Sequence, residues 1–181
     1  TQQVTFSSND GGSGSLSIGF DFQFYENVYS ECIINANGWL GFGEDNTEWS
    51  NTSIPSEDAP RPAIFGFWDD LNPVNDNCNQ YCSGNAYVNA DTDRFVAWFD
   101  NVAAWWSSNP DSYYDFQIVL YRDGRIQLNY REITGTHSAT MGIQDGSGNV
   151  GLQVSYNDNY VHNELSIQFA SSESVDWMNV S

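Results

Sequence analysis

Side chains that bear oxygen are concentrated directly after the apolar segment Ile64 to Trp68. The run opens with the pair Asp69 and Asp70 and continues to Asp76. Carboxamide oxygens in the same run come from Asn72, Asn75 and Asn77. Calcium binds several such oxygens and tolerates irregular loops, whereas zinc prefers His and Cys. The run therefore predicts calcium ligands at Asp69, Asp70 and Asp76, with turn formation by the same side chains as the alternative.

Large aromatic rings occupy two long polar segments, Glu44 to Pro62 and Ala103 to Tyr114. The rings in question are Trp49, Trp105, Trp106, Tyr113 and Tyr114. A ring displayed by a polar loop can stack on the apolar face of a sugar while nearby Asp, Asn and Gln bind its hydroxyls. These residues are therefore candidate ligand contacts. In the alternative, the loops fold back and bury the rings in a satellite core.

Three other tryptophans, Trp39, Trp68 and Trp98, alternate with or adjoin residues of apolar segments. Large rings in such segments are usually buried. We therefore expect these three side chains to pack in the core rather than to contact a ligand.

The three cysteines fall in two different settings. Cys78 and Cys82 lie in a polar segment that could not pack a core, and we expect them to form a disulfide. Zinc is the competing interpretation, but the two histidines, His137 and His162, are isolated from the pair. Cys32 sits in an apolar run and is expected to be a buried free thiol. A disulfide implies an oxidising compartment outside the cytosol.

The sequence offers no strong catalytic motif. A nucleophile requires a neighbouring base, and glycoside hydrolysis requires two convergent carboxylates. Neither histidine lies in a recognisable motif, and carboxylates are so abundant that no pair stands out. We expect the chain to have no catalytic activity by itself.

The charge of the chain excludes several partners. It has no lysine, and its 5 arginines are outnumbered by 24 acidic residues, so the formal net charge is -19. Nucleic acids, anionic lipids and sulfated glycans are poor partners because their binding requires clustered cations. Acidic surfaces instead keep secreted proteins soluble or attract divalent cations. No apolar stretch is long enough for a transmembrane helix, and the chain begins like a mature or excised piece.

Apolar residues alternate with a period of two almost throughout, which predicts short strands. The predicted strands are Leu16 to Phe20, Phe22 to Tyr25, Tyr29 to Asn35, Trp39 to Phe42, Ile64 to Trp68, Phe95 to Phe99, Phe116 to Leu120, Ile126 to Tyr130, Ala139 to Ile143, Val150 to Val154 and Leu165 to Phe169. The turn at Arg122, Asp123 and Gly124 predicts a tight hairpin. Strands without helices predict an all-β, two-sheet antiparallel β-sandwich, jelly-roll-like, with two long loop insertions.

Residues 1–172 are predicted to form this single module. The segment Glu173 to Ser181 is predicted to be an edge strand or a junction to a following domain.

Three segments in order resemble the nidogen-like extracellular β-sandwich module and its bacterial relatives. They are IINANGWLGFG at 33–43, FGFWDDLNP at 65–73 and FQIVLYRDGRI at 116–126. The resemblance covers roughly residues 15–170. It implies a secreted accessory domain of a larger protein, often beside proteases or polysaccharide-degrading enzymes, and it supplies no catalytic residues. The sequence departs from the family pattern at the Cys78 to Cys82 loop and at Trp105 and Trp106.

These observations predict a secreted, non-catalytic adhesion module of a larger protein. The module targets or anchors that protein by binding a glycan or other extracellular biopolymer through its aromatic loops. In the alternative, the module is a spacer or protein-binding domain that packs on an adjoining catalytic domain. A hydrolase is the third possibility.

Overall fold

The computed structural model describes residues 1–43, 46–74, 83–105 and 112–170, which form two antiparallel sheets. The strands are β1 (Gln2–Gln3), β2 (Leu16–Phe24), β3 (Asn27–Asn35), β4 (Trp39–Gly41), β5 (Ala63–Trp68), β6 (Asn85–Ala90), β7 (Arg94–Ala103), β8 (Tyr113–Tyr121), β9 (Ile126–Thr134), β10 (Thr140–Gln144), β11 (Gly151–Tyr156) and β12 (Leu165–Phe169). Sheet A has the order β1-β6-β7-β8-β9-β12, and sheet B has the order β11-β10-β5-β4-β3-β2. The predicted β-sandwich is confirmed.

Every predicted strand segment lies in or overlaps an observed strand, and the two segments around Asp21 form the single strand β2. Sequence periodicity did not identify β1 or β6. Strand β6 is hard to recognise because only Ala86 and Val88 point inward, while Asn85, Tyr87 and Asn89 point outward.

The hairpin that joins β8 to β9 forms as predicted. The amide of Tyr121 donates to the carbonyl of Arg125, and the amide of Gly124 donates back to the carbonyl of Tyr121, each at 2.9 Å. Gly124 has a φ of 87°, a conformation that glycine adopts at little cost. Local turn chemistry therefore fixes the register of these two strands.

The main core lies between the inner faces of the two sheets. Phe99 and Phe116 stack at its centre with ring centroids 4.6 Å apart. The hydroxyl of Tyr130, on sheet A, donates a 2.6 Å hydrogen bond to the carbonyl of Gly66 on sheet B. Cys32 is buried in this core as a free thiol, as predicted, and burial raises the pKa of that thiol.

A second apolar cluster covers the outer face of sheet B. Trp39, Phe65 and Trp68 pack there against Ile54 and Ala59 of the long segment after β4. The Gln144 side chain accepts a hydrogen bond from the amide of Ser56 and donates one to the carbonyl of Pro60, both at 2.9 Å, and these bonds hold the segment against the sheet. The first predicted loop insertion is therefore observed, and it folds back on the sheet.

The burial predicted for Trp39 and Trp68 is confirmed, but the prediction for Trp98 was wrong. Trp98 lies on the outer face of sheet A and is half-buried. Its position alternates with those of Phe95, Ala97 and Phe99, which point into the core.

Candidate functional site

The structure places Tyr113 and Tyr114 at the start of β8 rather than in a loop, so the second insertion is shorter than expected. Tyr114 is 1 % exposed, and its ring centroid lies 4.3 Å from that of Phe67. Its hydroxyl donates a 2.8 Å hydrogen bond to the carbonyl of Thr136, and burial raises its pKa to about 12. Tyr114 is thus a core residue, and its ring is covered. Tyr113 is half-buried at the edge of the strand.

Trp49 and Trp105 are the predicted ligand contacts whose rings are exposed, at 50 % and 37 % respectively. Both lie beside the end of β5. The amide of Trp105 donates a 2.8 Å hydrogen bond to the carbonyl of Asp70. The indole N–H of Trp68 donates to the carbonyl of Glu48, which immediately precedes Trp49. Trp106 lies outside the described residues.

The carboxylates of Asp69 and Asp70 follow β5 at this same end. Oδ2 of Asp69 accepts hydrogen bonds from the amide and the hydroxyl of Ser138, both at 3.2 Å. Burial raises the pKa of Asp69, and these hydrogen bonds oppose that rise. Asp70 has a pKa raised to about 7, first by burial and then by repulsion from Asp10 and Asp69. The carboxylates of Asp10 and Asp69 therefore both act on Asp70 at this end.

Buried asparagines hold these loops together, and the sequence reasoning did not assign them a role. Oδ1 of Asn37 accepts the amide of Leu71 at 2.9 Å. Nδ2 of Asn37 donates to Asp10 at 3.3 Å, and Nδ2 of Asn35 donates to the Asp10 carbonyl at 2.8 Å. The Asn-Gly turn in the sequence was the available signal, since turn residues often hydrogen-bond neighbouring backbone.

The turn after β3 requires a residue without a side chain at position 38, where the chain has glycine. Its φ is 81°, and a Cβ would collide with the carbonyl of Phe67. The Gly38 carbonyl also accepts the amides of Gly66 and Phe67, at 3.1 and 3.0 Å. The close approach ties the turn after β3 to the end of β5, where Asp69 and Asp70 begin.

The Asp70 carboxylate is more available to a cation than the Asp69 carboxylate. Asp69 is engaged by Ser138, whereas the Asp70 carboxylate accepts no side-chain hydrogen bond from the described residues. Within those residues, no group of three or more His, Cys, Asp or Glu side chains is arranged to hold a metal ion. Asp76 lies outside the described residues, so the three-residue ligand set stays a prediction.

The disulfide prediction for Cys78 and Cys82 also falls outside the described residues and stays a prediction. His137 packs against the rings of Phe67 and Tyr114, and burial lowers its pKa. The Ser138 hydroxyl donates to Asp69 rather than to this histidine. The described residues near His137 therefore lack the hydroxyl–imidazole hydrogen bond that activates a serine nucleophile.

The described residues form an all-β sandwich with one long segment folded on the outer face of sheet B and exposed aromatic rings at one end. The chain belongs to the NIDO-related family, whose model matches residues 1–177. The resemblance to nidogen-like modules is thereby confirmed, and this type of module is non-catalytic. No solved structure matches the chain. In the part of the chain that the structure describes, no helix is long and apolar enough to cross a bilayer.

Proposed function

We propose that this chain is a non-catalytic, secreted module that attaches a larger protein to a neutral glycan or similar extracellular biopolymer. Trp49 and Trp105 are its ligand contacts at the end of β5, and Trp106, the next residue in the sequence, is a further candidate contact. The observation that carries the proposal is the exposure of two indole rings beside one strand end. Exposed rings on a rigid scaffold suit stacking on sugar faces.

The backbone that carries each ring is held independently of the ring itself. The Trp105 amide and the Glu48 carbonyl both hydrogen-bond to residues of the segment Trp68 to Asp70. Neither ring stacks on another aromatic ring of the described residues, although both are large and apolar. Binding therefore requires little ordering of the backbone, which favours affinity.

Charge directs the choice of ligand. With a formal net charge of -19, the chain repels anionic polymers unless a divalent cation bridges the two. Near Trp105, the carboxylates of Asp69, Asp70 and Asp10 reinforce that repulsion. Neutral polysaccharides and uncharged protein surfaces are thus the favoured partners, and calcium held at Asp70 would moderate the local charge.

The same exposed rings favour one alternative, in which they pack against an adjoining catalytic domain. Large apolar side chains at the end of a module are suited to an interface between domains. In that case Trp49 and Trp105 contribute to a fixed domain arrangement rather than to ligand binding.

A retention experiment separates these functions. The purified chain is mixed with insoluble neutral polysaccharides, and the bound fraction is compared for the parent, Trp49→Ala, Trp105→Ala and the double variant. Leu152→Ala, which removes an exposed apolar side chain on β11, is the matched control. We expect the double variant to lose retention and the control to keep it.

Unchanged retention of the double variant would remove Trp49 and Trp105 from the glycan contact. If no polysaccharide retains the parent chain, binding to the purified neighbouring domain is measured by calorimetry. Binding there that depends on the two tryptophans would establish the packing alternative.

A further inference from the structure

A row of side chains crosses the outer face of sheet A at one level. Strand register pairs Tyr87 with Trp98, Trp98 with Gln117, Gln117 with Asn129, and Asn129 with Ser166. These five residues come from β6, β7, β8, β9 and β12, and all five point outward. Neighbouring strands lie about 4.8 Å apart, so the row extends over about 19 Å. We call this set the sheet A row.

Trp98 in this row is held by a buried carboxylate. Asp115 is 2 % exposed, and its Oδ1 accepts the indole N–H of Trp98 at 3.1 Å. The other oxygen, Oδ2, lies 2.6 Å from Nη2 of Arg131. The Arg131 guanidinium in turn lies 5.7 Å from the Trp98 ring centroid, which is a cation–π contact. The indole is therefore fixed on the sheet before any ligand arrives.

A second ring extends the apolar part of the row. The Tyr87 centroid lies 5.4 Å from that of Trp98, and the two ring planes are inclined by 35°. Both side chains are half-buried, so each presents part of its ring to solvent. Two neighbouring rings of this kind suit the apolar faces of successive sugar units.

The other half of the row offers carboxamides and a hydroxyl. Asn129 Oδ1 accepts hydrogen bonds from Gln127 Nε2 and Ser166 Oγ, both at 2.9 Å. That leaves Asn129 Nδ2 without an acceptor among the described residues. The Gln117 carboxamide makes no side-chain hydrogen bond to any described residue either, although it is half-buried. Oriented but unused donors and acceptors match the hydroxyls of a sugar.

The shape and charge of this face fit the same class of ligand. A shallow cleft of about 380 Å³ lies over the part of the row from Trp98 to Ser166 and is also bordered by Arg131 and Glu164, and Tyr87 lies outside it beside Trp98. The charged groups around this cleft are Asp100, Asp115, Glu164 and Arg131. Arg131 lies 3.6 Å from Asp100 and 2.6 Å from Asp115, and Glu164 borders the cleft as a third acidic residue. One arginine and three acidic residues leave this face with an excess of acidic groups, as in the chain as a whole, so it favours an uncharged ligand over a polyanion.

We infer that the sheet A row is a binding site for a neutral oligosaccharide segment, with sugar rings stacked on Trp98 and Tyr87. Gln117 and Asn129 bind the hydroxyls, and Arg131, whose guanidinium lies 5.7 Å from the Trp98 ring centroid, donates to a ring substituent of the sugar. The inference rests on the proposed function for its ligand class, but it places that ligand on a second surface, separate from Trp49 and Trp105. Retention of a polymer then requires both surfaces, and the loss of either one releases it.

The test uses a panel of uncharged hexasaccharides from β-glucan, mannan, xylan and chitin, titrated calorimetrically into the full chain. The variants are Trp98→Ala, Gln117→Ala, the Trp49→Ala/Trp105→Ala pair and the control Leu152→Ala. Since the Gln117 carboxamide has no side-chain partner among the described residues, its variant is expected to fold normally. It keeps the test decisive even if Trp98→Ala is unstable.

We expect at least one hexasaccharide to bind, with affinity reduced at least tenfold by Trp98→Ala and by Gln117→Ala, while Leu152→Ala is unchanged. If Gln117→Ala and a folded Trp98→Ala bind like the parent and only the loop pair loses binding, the inference is overturned and the proposed function stands. The opposite pattern supports the sheet A row and removes the loop rings from the site. If no hexasaccharide binds the parent chain, the inference is overturned.

Discussion

The main-chain amide of Trp105 donates a 2.8 Å hydrogen bond to the main-chain carbonyl of Asp70. The segment after β7 and the segment after β5 are thereby joined through backbone alone, and a bridge between Leu71 and Ala104 continues the pairing. An exposed indole and a carboxylate with a raised pKa consequently lie on adjoining segments at one end of the sandwich. Because side chains do not form this link, substitution of Trp105 tests the role of its ring without breaking the backbone hydrogen bond to Asp70.

Replacement of the exposed tryptophans should have little effect on folding. We expect Trp49→Ala and Trp105→Ala to lower the free energy of unfolding by less than about 1 kcal/mol. Trp68→Ala removes a ring with 0 % exposure and should cost about 3–5 kcal/mol. Urea denaturation followed by circular dichroism measures all three. A large loss at Trp49 or Trp105 would identify that ring as part of the packing.

The raised pKa of Asp70 predicts a stability that depends on pH. A pKa of about 7 in the folded state exceeds the ordinary aspartate value, so the folded chain holds the proton more tightly than the unfolded chain. This contribution is complete below about pH 4, decreases as the pH rises toward 7 and is constant above it. After allowance for solvent screening at this half-buried group, its size is about 1–2 kcal/mol.

Asp70→Asn should therefore flatten the curve of unfolding free energy against pH between about pH 4 and 7, measured in EDTA. Asp58→Asn removes one exposed carboxylate and is the control for net charge. A curve for Asp70→Asn that retains the parent slope would show that other groups cause the dependence.

Calcium should stabilise the chain through Asp70. Binding to the folded state raises the melting temperature as the calcium concentration increases. We expect a larger rise with calcium than with magnesium at equal ionic strength, and a smaller calcium effect in Asp70→Asn. Equal responses to the two ions would indicate charge screening alone and would eliminate a specific site at Asp69, Asp70 and Asp76.

The cysteines give a direct chemical test of the compartment. With Cys78 joined to Cys82 and Cys32 free, a thiol assay under denaturing, non-reducing conditions should detect one reactive thiol per chain. Reduction beforehand should increase the result to three. Three thiols without reduction would eliminate the disulfide.

Much of the fold was predictable because inward and outward residues alternate along most strands, among them β2, β7 and β9. The same alternation explains why the structure places Trp98 and Tyr114 differently from the prediction. Phe95, Ala97 and Phe99 share one face of β7, which places Trp98 on the other. Likewise, Tyr114 lies two residues before Phe116 and therefore faces the same side of the sheet. Extending the predicted strand β8 backward by two residues would have placed the Tyr114 ring in the core.

Other features of the site were not accessible from local pattern. Asp10 influences Asp70 because the turn at Asn37 brings the first loop to the end of β5, and nothing near Asp10 in the sequence indicates that contact. The sheet A row depends on the register of five strands, which no single segment specifies. Both arise from pairings between residues far apart in the chain.

Retention on insoluble neutral polysaccharides is the measurement that tests the proposed binding function most directly. The parent chain should bind at least one polysaccharide, and the Trp49→Ala/Trp105→Ala variant should be released from it while Leu152→Ala stays bound. A parent chain that remains in solution with every neutral polysaccharide, with and without calcium, would contradict glycan attachment as the function of this module.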